Sequence, residues 1–150
     1  MKDLKPYENI YVLKNNYVGY LSYIWKNTPY VIPITYYYNE EDHCILSYSG
    51  EGHKINAMRI HNSVSIHIAD IKSIRNWQTV LVHGKFEELV GTHAKQQLHK
   101  FALGIKKIMF TKEGKFPSLL TDFSSKISAK TEPIVFRIKV LEITGKTRMG

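Results

Sequence analysis

Three segments rich in aromatic and β-branched residues, 18–25, 30–38 and 43–48, follow one another with only four residues between each pair. Lys26-Asn27-Thr28-Pro29 has turn composition, and Asn39-Glu40-Glu41-Asp42 is a short acidic turn. Connections this short join antiparallel neighbours, so the first half of the chain is expected to fold as consecutive hairpins.

The pattern continues. Residues 63–69 alternate Val64, Ile66 and Ile68 with Ser65, His67 and Ala69, the period of two of a half-buried strand. Residues 70–76 read as a loop, 77–90 as a long strand with Gly84 a candidate bulge, and 133–144 as the last strand. Three helices interrupt the strands. Tyr7, Ile10, Tyr11 and Leu13 have helical spacing and stop at Asn15-Asn16. Ile55 and Met58 mark a short helix over 54–61. Ala94, Leu98, Phe101, Ile105 and Ile108 form one stripe of a longer helix, with Thr92 placed to cap it and Gly114 and Pro117 to close it. Residues 115–132 are Ser/Lys-rich and irregular. The expected fold is mainly β within the α+β class. It is a six-stranded antiparallel barrel with two or three flanking helices, built from 150 residues as a single domain.

Composition removes several function classes. A lone cysteine, Cys44, excludes an internal disulfide framework and points to a reducing compartment, so the expected address is the cytoplasm. No run approaches the roughly 20 apolar residues of a membrane helix, and the first residues lack the apolar core of a secretory signal. The seven histidines show no metal-ligand spacing, and no nucleophile stands beside a base in a recognised motif. The net charge of +8 would suit an anionic partner. However, residues 1–90 are neutral overall, and the excess lies in 91–150, much of it on the flanks of the long helix. All ten tyrosines lie at or before Tyr48, away from that charge. A solvated helix face therefore accounts for the lysines better than a nucleic-acid surface, which interleaves charge with exposed aromatics.

The segment with most chemical content is Ser47-Tyr48-Ser49-Gly50-Glu51-Gly52-His53-Lys54. A strand ends, two glycines permit close backbone approach, and a helix begins with a lysine in its first turn. Helix N-termini attract phosphate through their unsatisfied N–H groups and positive dipole. Ser49 can add a hydroxyl, and Lys54 and His53 can add charge. The plain alternative is a glycine turn before a helix with a surface lysine. In residues 30–36, Pro33 cannot donate to a ladder, so its strand must be an edge, a bulge or a gap.

Taken in order, Gly19-Tyr20-Leu21, Pro29-Tyr30-Val31-Ile32-Pro33, Ile45-Leu46-Ser47-Tyr48-Ser49, Gly52-His53-Lys54, Asn62-Ser63-Val64-Ser65 and Trp77-Gln78-Thr79-Val80 resemble the FMN-binding split-barrel proteins related to pyridoxamine 5'-phosphate oxidase, above all their short nitroimidazole-resistance-type branch. The resemblance implies a six-stranded split barrel and a homodimer with FMN at its interface. It also implies a flavin-dependent oxidoreductase acting on a small molecule. By motif, Ile32, Pro33, Ile34 and Thr35 would line the isoalloxazine edge through backbone groups. Tyr48, Ser49, His53 and Lys54 would hold the ribityl phosphate. His67 would be a polar flavin contact, and Trp77, Gln78 and Thr79 would reach the cofactor from the partner subunit or the interface rim. The catalytic residues are not implied, because the flavin carries the chemistry. Tyr48 stands where nitroimidazole-type relatives often have histidine, and the arginine-containing C-terminal substrate motif of the full oxidase is absent. Two other readings stay open: a split barrel that holds haem or a deazaflavin, and a basic nucleic-acid-binding module.

Overall fold

The computed structural model describes residues 1–114 and 132–149. In chain order the elements are β1 (Lys2–Asp3), α1 (Pro6–Lys14), β2 (Val18–Trp25), β3 (Thr28–Thr35), β4 (Tyr37–Asn39), β5 (Cys44–Ser49), α2 (His53–Ile60), β6 (Ser63–Ser73), β7 (Asn76–Leu89), α3 (Gly91–Glu113) and β8 (Ile134–Arg148). The strands pair antiparallel in the order β3-β2-β6-β7-β8-β5-β4, with β1 added to β8. This is the expected mainly-β architecture. Eight strands are present because two short ones, β1 and β4, join six longer ones.

The sheet is curled by its own chain. Its two ends, β3 and β4, are separated in sequence by Tyr36 alone. One residue spans only about 3.5 Å, so the two edges of the sheet must meet at this corner, although no ladder joins them. Tyr36 makes the corner. It is fully buried, its N–H donates to the Tyr17 carbonyl at 2.8 Å, and its hydroxyl donates to the Leu13 carbonyl at 2.9 Å. The single strand expected over 30–38 is therefore two strands serving opposite ends of the sheet. Ser47 on β5 bridges the split by donating from Oγ to the Thr35 carbonyl at 2.7 Å.

Two connections differ from expectation. The first hairpin turns on Lys26 and Asn27 alone, both left-handed with φ of 47° and 64°, so Thr28 and Pro29 belong to β3. Positive φ at both central residues is the two-residue turn that matches strand twist. The expected loop over 70–76 is mostly ladder. β6 runs to Ser73, β7 starts at Asn76, and Ile71 pairs with Trp77. Ile71 and Lys72 are exposed, so no alternation survives to mark the strand.

Gly84 does mark an irregularity, but the extra residue is Leu141 on β8: His83 faces Glu142 and Gly84 faces Val140. A Cβ on Gly84 would run into the Lys139 carbonyl. Thr92 does not cap α3. The N-cap is Val90, without a side-chain bond, because the helix starts at Gly91, two residues earlier than a Thr92 cap would allow. Gly114 ends α3 in the left-handed conformation as expected, whereas Pro117 and the stretch to residue 131 lie outside the described residues.

The core has two parts. Inside the barrel, Leu21, Ile34, Ile45, Ile66, Val82, Phe136 and Ile138 pack with Ile55 and Met58 of α2 and Val12 and Leu13 of α1. On the other side of β5, Leu46 and Tyr48 meet Phe101 and Ile105 of α3. The lysine-rich helix thus buries one stripe and leaves Lys95, Lys106 and Lys107 exposed.

Candidate functional site

The glycine break leads from β5 into α2 at one end of the barrel. Gly52 is the N-cap of α2 and, as a glycine, supplies no side-chain cap. His53 and Lys54 are the first two helical residues. Lys54 is half-buried, and desolvation lowers its ammonium below the ordinary lysine value. A nearby anion would oppose that shift, so the position suits a phosphate.

Glu51 would work against an anion here, but its carboxylate is occupied. Arg59, on the last turn of α2, donates from Nη1 and Nη2 to both Glu51 oxygens at 2.9 and 3.0 Å. The same guanidinium grips Glu88 at 2.7 and 3.1 Å. Bidentate pairing of this kind fixes the carboxylate as well as partly neutralising it.

His53 sits among rings. Its centroid lies 4.8 Å from that of Tyr30, 5.6 Å from Trp25 and 5.7 Å from Tyr23. The Tyr23 and Tyr30 rings stack at 5.5 Å and 7°. Nδ1 of His53 is 2.9 Å from the Tyr23 hydroxyl. Burial raises the Tyr23 hydroxyl above its ordinary value, with Tyr30 adding to the shift. These four rings cluster beside the start of α2, with Tyr23 buried and Tyr30 and His53 exposed. Sequence reasoning singled out His53 but missed Tyr23, Trp25, Tyr30 and Arg59. Strand parity would have placed Tyr23 and Trp25 on one face, but nothing local links them to α2.

Ser49 and Tyr48 point to opposite faces of β5, as consecutive strand residues must. Ser49 is fully buried, and its Oγ bonds to the Gly50 carbonyl at 2.8 Å. The Tyr48 ring is buried under α3, edge-on to Phe101 at 5.4 Å. The Tyr48 side chain is thus placed apart from the face that carries Ser49.

β3 is an edge strand with β2 on one side only, which accommodates Pro33. Ile34 and Thr35 are buried, Ile32 is half-buried and Pro33 is exposed. Pro33 pairs with Tyr20, which pairs with His67, which pairs with Leu81. His67 is half-buried on the outer sheet face, in register with the exposed Tyr20. A cleft of about 340 Å³ on that face is lined by Ser22, Ser63, Ser65, His83 and Lys85.

Trp77, Gln78 and Thr79 are half-buried at the start of β7, opposite Ile71, Asp70 and Ala69. Along β6 this is roughly 23 Å from Val64, which lines the first cleft with Tyr23, at about 3.3 Å per residue. Trp77 and Gln78 line a separate cleft of about 440 Å³ with Tyr11, Asp70, Lys72 and Lys112. The described residues of one chain therefore bring His53, Lys54 and Ser49 to one end of the barrel and Trp77 to Thr79 to the other.

Among the described residues no group of three His, Cys, Asp or Glu side chains is arranged to hold a metal ion. Cys44 is buried, and desolvation pushes its thiol up to about 11. No described helix is long and apolar enough to cross a membrane.

A split barrel with an edge strand, a glycine break and a basic helix start is the class that these features define. The chain belongs to the pyridoxamine 5'-phosphate oxidase family, whose model matches residues 8–147. It is 32% identical over 120 residues to an uncharacterized protein of Rhizobium meliloti (strain 1021), covering 79% of this chain and 76% of that one. Among solved structures it is similar to a FAD-binding protein from Mesorhizobium loti, with a TM-score of 0.76 and 26% identity over 99% of this chain and 97% of that one. A candidate 5-nitroimidazole antibiotic resistance protein from Bacteroides thetaiotaomicron gives a TM-score of 0.67 at 17% identity, covering 96% and 86% of the two chains. At that identity the likeness is one of fold.

Proposed function

We propose that this chain binds a flavin nucleotide, FMN by the resemblance of its motifs, with the ribityl phosphate at the first turn of α2. We further propose that two copies share the cofactor sites and that the protein is a flavin-dependent oxidoreductase acting on a small molecule. The observation that carries the reading is the meeting, at one barrel end, of a helix start with a glycine N-cap, His53 and the half-buried Lys54. Family membership and the similar FAD-binding protein support the flavin class.

The residues present fit such a group. Lys54 and the helix dipole supply positive potential, the Arg59 clamp holds the Glu51 carboxylate, and Gly52 leaves open space where a Cβ would stand. The backbone edge of β3 and the outer face with Tyr20 and His67 offer polar contacts for a flat ring. When bound, the flavin would supply hydride or single-electron transfer, and the protein would supply placement and exclusion of water. Trp77, Gln78 and Thr79, at the far end of the strands, are read as the partner's contribution. The outer face exposes Tyr20, Val31 and Leu141, which favours a second copy as its cover.

The test is the absorption spectrum of the protein as purified, with mass identification of what denaturation releases. Two flavin bands and a mass of FMN support the reading as stated. A mass of FAD keeps the phosphate seat and changes the nucleotide. A colourless protein that takes up neither flavin overturns it.

A further inference from the structure

Tyr23 is only 3% exposed, and a buried hydroxyl proton needs an acceptor. Among the described residues its one hydrogen-bond partner is Nδ1 of His53, at 2.9 Å. The hydroxyl therefore donates, and a neutral His53 must carry its own proton on Nε2. If the imidazole gains a second proton, Nε2 keeps the first. In both charge states Nε2–H is a donor.

The ring has little freedom to present anything else. Tyr30, Trp25 and Tyr23 surround it at 4.8 to 5.7 Å between centroids. His53 is nevertheless exposed, and Nε2 has no hydrogen-bond partner among the described residues. It opens a helix whose N-cap is Gly52, which has no side chain to cap it.

We propose that Tyr23 is a positioning residue, whose hydroxyl fixes His53 as a permanent Nε2–H donor to an oxygen of the bound flavin's phosphate. The identity of that anion rests on the function proposed above; the tautomer does not. This role would account for the buried Tyr23 hydroxyl within a cluster of rings.

The test uses the full chain with ¹⁵N-labelled histidine and a set of variants. In the wild type without flavin, the His53 nitrogens should report the Nε2–H tautomer more completely than a free neutral histidine does, and Tyr23→Phe should relax it toward the free mixture. His53→Ala should weaken FMN binding roughly tenfold and Tyr23→Phe somewhat less. The double variant should be no worse than His53→Ala alone, because Tyr23 acts only through His53. His53→Gln, with an amide N–H near the place of Nε2, should recover part of the affinity. An Nδ1–H tautomer in the wild type, or additive losses in the double variant, would overturn the proposal. If the wild type takes up neither FMN nor FAD, the flavin reading falls, and titration with inorganic phosphate then decides. A shift confined to Nε2 supports the donor role, and no shift removes it. Should Tyr23→Phe fail to fold, the wild-type tautomer and the His53→Gln rescue still decide between donor and bystander.

Discussion

Arg59 holds Glu51 with two parallel hydrogen bonds, Nη1 to one carboxylate oxygen at 2.9 Å and Nη2 to the other at 3.0 Å. Glu51 lies two residues before the first turn of α2, so this clamp sets the charge felt by any anion there. Arg59→Ala should release the carboxylate and weaken flavin binding several-fold. Arg59→Ala with Glu51→Gln should restore most of it. Arg59 joins two partly exposed ion pairs, each worth about 0.2–1 kcal/mol, so the melting temperature should fall by a few degrees at most. Fluorescence titration of FMN against the three proteins checks this, and equal affinities would show that the clamp has no bearing on binding.

Tyr36 turns the chain from one end of the sheet to the other, and its hydroxyl ties that corner to α1 through the Leu13 carbonyl at 2.9 Å. Tyr36→Phe keeps the ring and removes that bond, leaving a buried carbonyl without its partner. Urea unfolding should show a loss of about 1–3 kcal/mol. A change under about 0.3 kcal/mol would mean that the corner is held by packing alone.

Gly84 lies opposite the bulge at Leu141, where a Cβ would collide with backbone. Gly84→Ala must therefore shift β8 or break the local ladder. A loss of about 1–3 kcal/mol or more is expected in the same assay. Unchanged stability would mean that the strands can separate here at no cost.

Cys44 is 2% exposed, with its thiol pushed up to about 11 mainly by desolvation. Alkylation by iodoacetamide at neutral pH should be slow in the native protein and fast in urea. The linkage has a definite sign. The folded thiol keeps its proton while the unfolded one, with its ordinary value of 9.0, loses it, so Cys44 favours folding below pH 9 and this contribution fades from pH 9 to 11. Cys44→Ala should make the alkaline fall in stability between pH 9 and 11 shallower. A native thiol that alkylates as fast as a free one would contradict the burial.

The proposed sharing of cofactor sites requires two copies. Sedimentation of the purified protein should give about twice the chain mass of 17.4 kDa. A monomer at micromolar concentration would remove the shared site.

Strands with one wet face were legible because alternation records burial directly. Val64, Ile66 and Ile68 announced β6, and residues 18–25 gave β2 with its bounds. Where both faces are exposed, as at Ile71 and Lys72, the period vanishes and a strand reads as a loop. Where the chain stays apolar through a change of partner, as at Tyr36, two strands read as one. The site divided along the same line. Gly52, His53 and Lys54 are contiguous, so the helix start was visible in the sequence. Tyr23, thirty residues from its hydrogen-bond partner His53, and Arg59, held to Glu51 across α2, depend on the tertiary fold.

The proposed function requires that α2 begin at an anion seat in which Lys54 takes part. Equilibrium titration of FMN, and separately of FAD, into flavin-stripped wild type and Lys54→Ala puts that requirement to the test. The wild type should bind one flavin per chain saturably, and the variant should bind it at least about tenfold more weakly, as for a charged hydrogen-bond partner. Equal affinity in the two proteins, or no uptake of either flavin by the wild type, would contradict it.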